Sequence, residues 1–240
     1  METILLISLV AFIAAAVSAV VGFGGAIILL PALIAAFGAR DAIVVLTVAQ
    51  LVGNGSRVWF NRADIVLPVV KWFAVGAVPM AILGGVLLAS VPIDLLTRLL
   101  GLFLLFSVAW RHVRAREPAK PPVERFAIVG GVFGFLSALI GSVGPLMAPF
   151  FLAYGLVKAT YIGTEALATV VMHVTKLATY GGTGILTSTT ALNGIALAPA
   201  MVFGSWSGKK VLDRLPEQVF VYLIEAVLLF AGCLFLIRGG

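Results

Sequence analysis

Charged residues are scarce in this 240-residue chain. Only 11% of its residues are Asp, Glu, Lys or Arg, and 62% are hydrophobic, whereas a soluble domain has about 25% charged residues. So few charges cannot cover a surface that faces water, and the mean hydropathy of +1.17 agrees. Apolar runs of about 18 residues, long enough to cross a hydrocarbon core, recur along the chain. The composition therefore predicts an all-α polytopic membrane protein.

Cysteine and histidine are nearly absent as well. The single Cys233 excludes an internal disulfide and a thiolate metal cluster, and His112 and His173 lie too far apart for a zinc motif. The first segment lacks the positive n-region of a signal peptide, so we expect it to remain in the membrane. Membrane topology explains the net charge of +6 without a nucleic-acid partner. We expect no metal and no cofactor, and the sequence does not indicate an oligomeric state.

The apolar segments fall into two sets of similar layout on either side of a basic linker. The linker, Arg111–Arg125, reads RHVRAREPAKPPVER and has five Arg or Lys. The first set of segments is 3–21, 26–37, 42–60, 66–89 and 95–113, and the second is 126–140, 145–156, 161–182, 191–208 and 217–237. We predict a first membrane repeat at 1–110, a cytoplasmic linker at 111–125 and a second repeat at 126–240.

The two halves align at an offset of 119 residues. The phrase SAVVGFGG at Ser18–Gly25 is matched by SALIGSVG at Ser137–Gly144, and NGSR at 54–57 is matched by HVTK at 173–176. Ordered matches of this kind indicate an internal repeat, which is a common way of building transporters. The aligned pairs are Ser18 with Ser137, Gly22 with Gly141, Gly25 with Gly144, Asn54 with His173, Ser56 with Thr175, and Arg57 with Lys176.

The positive charges favour inverted halves over parallel ones. If residues 3–37 form one broken helix, each half crosses four times and the Arg and Lys residues outside the membrane split eight to six. If 3–37 is a hairpin, re-entrant or fully crossing, eleven lie on the linker side and three (Arg40, Arg98 and Arg238) lie opposite. The second split obeys the positive-inside rule. Each half then has a Gly-broken hairpin followed by three transmembrane helices, with the linker in the cytoplasm and both termini outside.

Glycines cluster at equivalent places in the two halves. A chain that turns within a membrane needs the φ/ψ freedom of glycine and a polar or protein-lined surrounding. Helix N-termini that begin after the turns would direct their positive ends at an anion. The alternative is that the glycines only permit close helix packing. The candidate substrate-binding residues of the turns are Gly22, Gly25, Gly141, Ser142 and Gly144.

Polar stripes follow both glycine clusters. Gln50, Asn54 and Arg57 are spaced i, i+4, i+7 and share one helix face, as do their repeat partners Thr169, His173 and Lys176. Intramembrane ionisable residues indicate function by default. We interpret the stripes, together with Ser56 and Thr175, as an anion pathway. The alternative is that both cations snorkel to the interface. Proton-coupling candidates are His173, because histidine titrates near neutral pH, and Glu165 as a relay.

The duplicated layout, the glycine motifs and the segment QLVGNGSR resemble the TauE/SafE family of sulfite and organosulfur anion permeases. The resemblance implies transport of sulfite, sulfonates or sulfoacetate across the cytoplasmic (inner) membrane, often outward. It makes a secondary exporter of small sulfur anions, in contact with the lipid bilayer, the first hypothesis. An anion channel and an intramembrane enzyme stay open, although no nucleophile–base pair is recognisable in the sequence.

Overall fold

Helices form the regular structure of the described chain. The structure is a computed structural model and describes residues 2–88, 121–141, 143–224 and 226. The helices are α1 (Glu2–Val21), α2 (Gly25–Phe37), α3 (Ala39–Phe60), α4 (Leu67–Leu87), α5 (Phe126–Ile140), α6 (Gly144–Ala153), α7 (Lys158–Gly182), α8 (Ser188–Ala196) and α9 (Ala198–Arg214). A further helical stretch runs from 217 to 224. The described residues contain no strand, which confirms the all-α prediction for this part of the chain.

Most predicted apolar segments coincide with single helices, but one does not. The segment predicted at 191–208 is divided between α8 and α9, and the two helices meet at Leu197. Pro199 lies in the first turn of α9. Because proline has no backbone N–H, it cannot donate the bond that would continue α8 through this point. The predicted segment 95–113, linker residues 111–120 and most of 225–237 lie outside the described residues.

The outer surface of the described helices is strongly apolar. On α1, Leu5 is 67% exposed and Leu9 is 58% exposed, and on α4, Val75 is 63% exposed. Many large exposed apolar side chains are typical of a surface that meets lipid or another protein. By length and composition, the described residues include two helical stretches that can cross a membrane, Arg40–Phe60 and Leu67–Leu87. The shorter apolar helices include α2 and α6.

The two halves of the chain pack into each other. Helix α1 lies along α9, and α4 lies along α5, so the first helix of each half contacts a later helix of the other half. Glycines allow these backbones to approach closely. A Cβ atom added at Gly204 would lie 2.8 Å from the Cβ of Ala15, and one added at Gly134 would lie 2.7 Å from the carbonyl oxygen of Ala77. Close packing therefore accounts for these two glycines. At the centre, α3 contacts α7.

Candidate functional site at the two helix breaks

Each half contains one break in which glycine adopts a left-handed conformation. Helix α1 ends at Val21 and α2 begins at Gly25, while α5 ends at Ile140 and α6 begins at Gly144. Gly22 has φ +88° and its repeat partner Gly141 has φ +86°. Residues with a side chain rarely adopt such angles. Both glycines therefore lie at helix breaks with a backbone conformation that favours glycine.

A buried cation caps the broken helix in each half. Arg57 Nη1 donates to the carbonyl oxygens of Ser18 at 3.1 Å and Gly22 at 2.6 Å. These carbonyls lie at the C-terminal end of α1, where the last C=O groups lack helical partners and the helix dipole is negative. The positively charged guanidinium donates hydrogen bonds to these carbonyl groups and lies at the negative end of the helix dipole.

Lys176 makes the same contacts in the second half. Its Nζ donates to the carbonyl oxygens of Ser137 at 3.2 Å and Gly141 at 3.0 Å, and to the Ser137 hydroxyl at 3.2 Å. These acceptors are the repeat partners of the Arg57 acceptors. Arg57 is 4% exposed and Lys176 is 0% exposed, so the snorkelling alternative is wrong for both side chains in this structure.

The two breaks contact each other. A Cβ atom added at Gly144 would lie 2.7 Å from the Cβ of Phe23, which belongs to the first break. One added at Gly22 would overlap the ring of Tyr161 on α7. Glycine is therefore required here for close approach as well as for its backbone angles. The first break and α6 are in van der Waals contact across the boundary between the halves.

The N-terminus of α2 differs from the expectation in one respect. The sequence analysis expected free N–H groups that point at the cavity. Instead, the N–H of Gly25 donates to the Ser18 hydroxyl at 2.7 Å. A Cβ atom at Gly25 would overlap that hydroxyl and would lie 3.0 Å from the side-chain nitrogen of Gln50. The start of α2 is thus bonded to a side chain of α1 and packs closely against Gln50 of α3.

A cavity lies where the breaks meet α3 and α7. The space between its wall atoms amounts to about 340 Å³, part of which is open solvent at the mouth, and its interior has room for about one water molecule in this conformation. Both halves of the chain contribute polar groups to its wall. The lining residues are Ser18, Gly22, Phe23, Gly24, Gly25, Ala26, Gln50, Asn54, Arg57, Ser137, Val143, Gly144, Met147, Glu165, Thr169, Met172 and His173.

An ion pair joins the two polar stripes across the cavity. Arg57 Nη1 lies 3.5 Å from Glu165 Oε2, and the Thr169 hydroxyl donates to Glu165 Oε1 at 2.9 Å. Arg57 Nη2 donates to Asn54 Oδ1. The amide nitrogen of Asn54 donates to the backbone oxygen of Gln50 at 2.8 Å. The guanidinium is therefore held by both halves of the chain.

His173 lines the cavity and carries a buried polar atom that has no partner. Its side chain is 3% exposed, and Nδ1 is buried without a hydrogen-bond partner. A buried polar atom without a partner costs free energy, so one beside a cavity is expected to bond to water or to a ligand. The imidazole is therefore a candidate contact for water or for a small polar ligand.

The structure brings most of the predicted site residues together. Gly22, Gly25, Gln50, Asn54, Arg57, Gly144, Glu165, Thr169 and His173 line the cavity. Gly141 and Lys176 are not among the lining residues. The Lys176 ammonium donates a hydrogen bond to the carbonyl oxygen of Gly141, and its other acceptor residue, Ser137, lines the cavity. Ser142 lies outside the described residues.

Two predicted residues do not line the cavity. The hydroxyl of Ser56 donates to the backbone oxygen of Val52, and that of Thr175 donates to Val171, at 2.9 Å each. Both side chains are half-buried on a different face of their helices. Nothing in the cavity supports a ligand role for them.

Sequence reasoning missed several residues of the wall. The Ser18 hydroxyl accepts from the N–H of Gly25, and the Ser137 hydroxyl accepts from Lys176 Nζ. The sequence did contain a signal for both serines, because each is the first residue of the repeated glycine phrase. Met147 and Met172 supply apolar wall, and a methionine in an apolar run gives no such signal.

An apolar exterior, buried cations and a polar cavity at two helix breaks are features of membrane-transport proteins. The family model for the sulfite exporter TauE/SafE matches residues 7–235, so the chain belongs to the TauE/SafE family. This confirms the resemblance seen in the glycine motifs. The family is one of transporters rather than enzymes. Comparison with curated proteins and with solved structures gives no match.

Proposed function

We propose that this protein is a secondary transporter that exports small sulfur-containing anions, such as sulfite, sulfonates or sulfoacetate, across the cytoplasmic membrane. Membership of the sulfite exporter family supports the substrate class. The observation that carries the proposal is the cavity at the two breaks, because side chains from both halves of the chain line it. A site between two repeats is where alternating access can expose one ligand to either side in turn.

The cavity wall can recognise an oxyanion. Arg57 supplies a buried positive charge, and the imidazole of His173, which lines the cavity, can donate a hydrogen bond from its protonated ring nitrogen. A guanidinium can donate two parallel hydrogen bonds to an oxyanion. The apolar side chains of Phe23, Met147 and Met172 border the same space. Low polarity around a charged group strengthens its interaction with an anion.

Flux into liposomes tests the proposed function directly. Purified protein in sealed vesicles should move sulfite across the bilayer faster than empty vesicles do. The flux should saturate with concentration and should respond to an imposed proton gradient or membrane potential. Flux that rises linearly with concentration would indicate a channel. Chemical conversion of the anion would indicate an enzyme.

We further propose that the two repeats, 1–110 and 126–240, are inverted around the cytoplasmic linker 111–125. The recurrence of the cation caps at an offset of 119 supports the repeat. The distribution of positive charge supports the inversion. Each repeat would then have a Gly-broken hairpin followed by three transmembrane helices, with both termini outside.

Cysteine labelling tests this arrangement. Cysteines introduced at Lys120 and Lys210 should react with a membrane-impermeant reagent only from the cytoplasmic side, because both belong to the proposed positive side. A cysteine at Arg40, which is exposed near the start of α3, should react only from outside. Labelling of the Lys210 position from outside would contradict the inverted arrangement.

The unpartnered nitrogen of His173 leads to a prediction about binding. His173→Phe removes a buried polar atom that lacks a partner, so the free energy of unfolding should stay the same or rise. Sulfite affinity should fall about five- to tenfold, as expected for the loss of one hydrogen bond of about 1 kcal/mol or slightly more. Calorimetric binding and thermal unfolding in detergent measure the two effects.

Thr175→Val is the control for His173→Phe. It removes a hydroxyl from the same helix, and that hydroxyl donates to the backbone oxygen of Val171 outside the cavity. Sulfite affinity should not change in this variant. Unchanged affinity in His173→Phe would remove His173 from the site.

A further inference from the structure

The cavity that is proposed to bind an anion contains a carboxyl group. Glu165 is 1% exposed and lines the cavity together with Arg57, Thr169 and His173. Its Oε1 accepts from the Thr169 hydroxyl at 2.9 Å, and its Oε2 lies 3.5 Å from Arg57 Nη1. The side chain is therefore fixed at the place where a bound anion would meet the guanidinium.

Arg57 is the nearest positive partner of this carboxyl group. The other ionisable groups on its own helix near the cavity are Tyr161, His173 and Lys176. The Lys176 ammonium is engaged by three acceptors around Ser137. Helix α4 also packs against α7, and its one ionisable residue, Lys71, is exposed.

The remaining neighbouring helices bring no buried charge to Glu165. The short helix Arg62–Asp64 contacts α7, but both of its charged side chains are exposed, as are Arg40 and Asp41 at the start of α3. Beyond Glu2, α1 has no ionisable residue, and α2, α5, α6 and α8 have none. On α9, Lys209 pairs with Asp213 at 2.5 Å, and Lys210 and Arg214 are exposed. Arg57 is thus the cation that an ionised Glu165 and a bound anion would have to share.

Two negative charges in one buried site repel each other, and a proton on one of them removes the repulsion. Two other contacts of Arg57 go to the carbonyl oxygens of Ser18 and Gly22, which an anion would not displace without exposing the end of α1, and a further one goes to Asn54 Oδ1 on the same helix. The 3.5 Å contact with Glu165 is the longest of the set. It is the contact that an arriving oxyanion would replace at least cost.

We infer that Glu165 takes up one proton when the cavity binds its anion, so that the anion and the proton occupy the site together. The inference rests on the proposed function and names the proton site of that same cavity. The proton comes from the solvent, and no other covalent bond is made or broken. Arg57 then pairs with the substrate instead of with Glu165. Since linkage is reciprocal, the proton favours the anion as much as the anion favours the proton.

Proton uptake on binding tests the inference. Purified protein in weakly buffered detergent solution is titrated with methanesulfonate, an anion that does not titrate in this pH range, while a pH-sensitive dye reports protons. In wild-type protein we expect uptake that approaches one proton per bound anion. The affinity should fall by up to about tenfold for each unit of rising pH over the range in which free Glu165 is ionised.

Glu165→Gln is the decisive variant. It should bind methanesulfonate without proton uptake, and its affinity should not depend on pH. His173→Gln, measured at saturating anion, is the comparison and should still take up the proton. Loss of proton uptake in His173→Gln with retention in Glu165→Gln would overturn the assignment to Glu165.

The wild-type measurements keep the test independent of whether a variant folds. Binding of methanesulfonate at an affinity that does not change with pH, and without proton uptake, would overturn the inference and leave the proposed function intact. If sulfite alone binds, the difference in proton uptake between wild type and Glu165→Gln is the readout, and no difference would overturn the inference. If neither methanesulfonate nor sulfite binds the wild-type protein, the proposed function itself fails.

Discussion

Arg57→Gln is expected to lose both stability and anion binding. The carbonyl oxygens of Ser18 and Gly22 would lose a charged donor inside the protein. Because hydrogen bonds to charged groups contribute about 1.5–3 kcal/mol each, the free energy of unfolding should fall by roughly 3 kcal/mol or more. Anion affinity should fall by about ten- to a hundredfold, since the buried charge beside the cavity is gone.

Arg57→Lys separates the two roles of this side chain. Lys176 shows that a lysine at the equivalent position reaches the equivalent carbonyl oxygens. Stability should therefore stay near that of the wild type. The lysine cannot reproduce the second guanidinium nitrogen, which contacts Asn54, or donate two parallel bonds to an oxyanion. Anion affinity should still fall by about tenfold or more, a loss comparable to that of one charge-assisted hydrogen bond.

Thermal unfolding in detergent and calorimetric titration with sulfite measure these effects. Arg62→Gln is the matched control, because Arg62 is exposed and stacks on the ring of Trp59 at 4.5 Å. It should change neither stability nor affinity appreciably. An Arg57→Gln protein that unfolds and binds like the wild type would show that the cap is dispensable and that the anion binds elsewhere.

Gly144→Leu is expected to abolish transport while the protein still inserts into the membrane. A Cβ atom at this position already lies 2.7 Å from the Cβ of Phe23, and the rest of a leucine side chain needs more room. Phe23 is buried in the first break, so it cannot move without opening the cavity wall. Insertion depends mainly on the apolar segments, which the substitution leaves intact.

Gly55→Leu is the control for Gly144→Leu. Gly55 lies in α3, and an added Cβ would meet nothing within 4 Å. The control should insert and transport sulfite at a rate close to that of the wild type. Normal flux in the Gly144→Leu protein would mean that the contact between the two breaks is not needed for transport.

The sequence predicted the helices and much of the cavity wall because both are encoded by local periodicity. Apolar runs marked the extent of α1 to α7, and the i, i+4, i+7 spacing placed Gln50, Asn54 and Arg57 on one face. The repeat offset then identified Thr169 and His173 as their partners. The same alignment led to the prediction that Ser56 and Thr175 belong to the site, although neither lines the cavity. Each lies one residue from a cation, and thus on a different helix face.

The cation caps were not predictable from the sequence. Arg57 and Lys176 bind backbone carbonyl oxygens 35 and 39 residues earlier in the chain. Every residue has a carbonyl oxygen, so no residue type marks the acceptor. The pairing of Arg57 with Glu165 spans 108 residues and joins the halves, and the spacing within one helix does not show it. Only the packing of α3 against α7 brings these groups together.

A density map of the protein with bound sulfite tests the central claim most directly. The account predicts density for one anion in the cavity between the two breaks, within hydrogen-bonding distance of Arg57 and of the imidazole of His173. In that map Lys176 should remain bonded to the carbonyl oxygens of Ser137 and Gly141, as a cap rather than a ligand. An ordered sulfite at another place, with this cavity empty, would contradict the account.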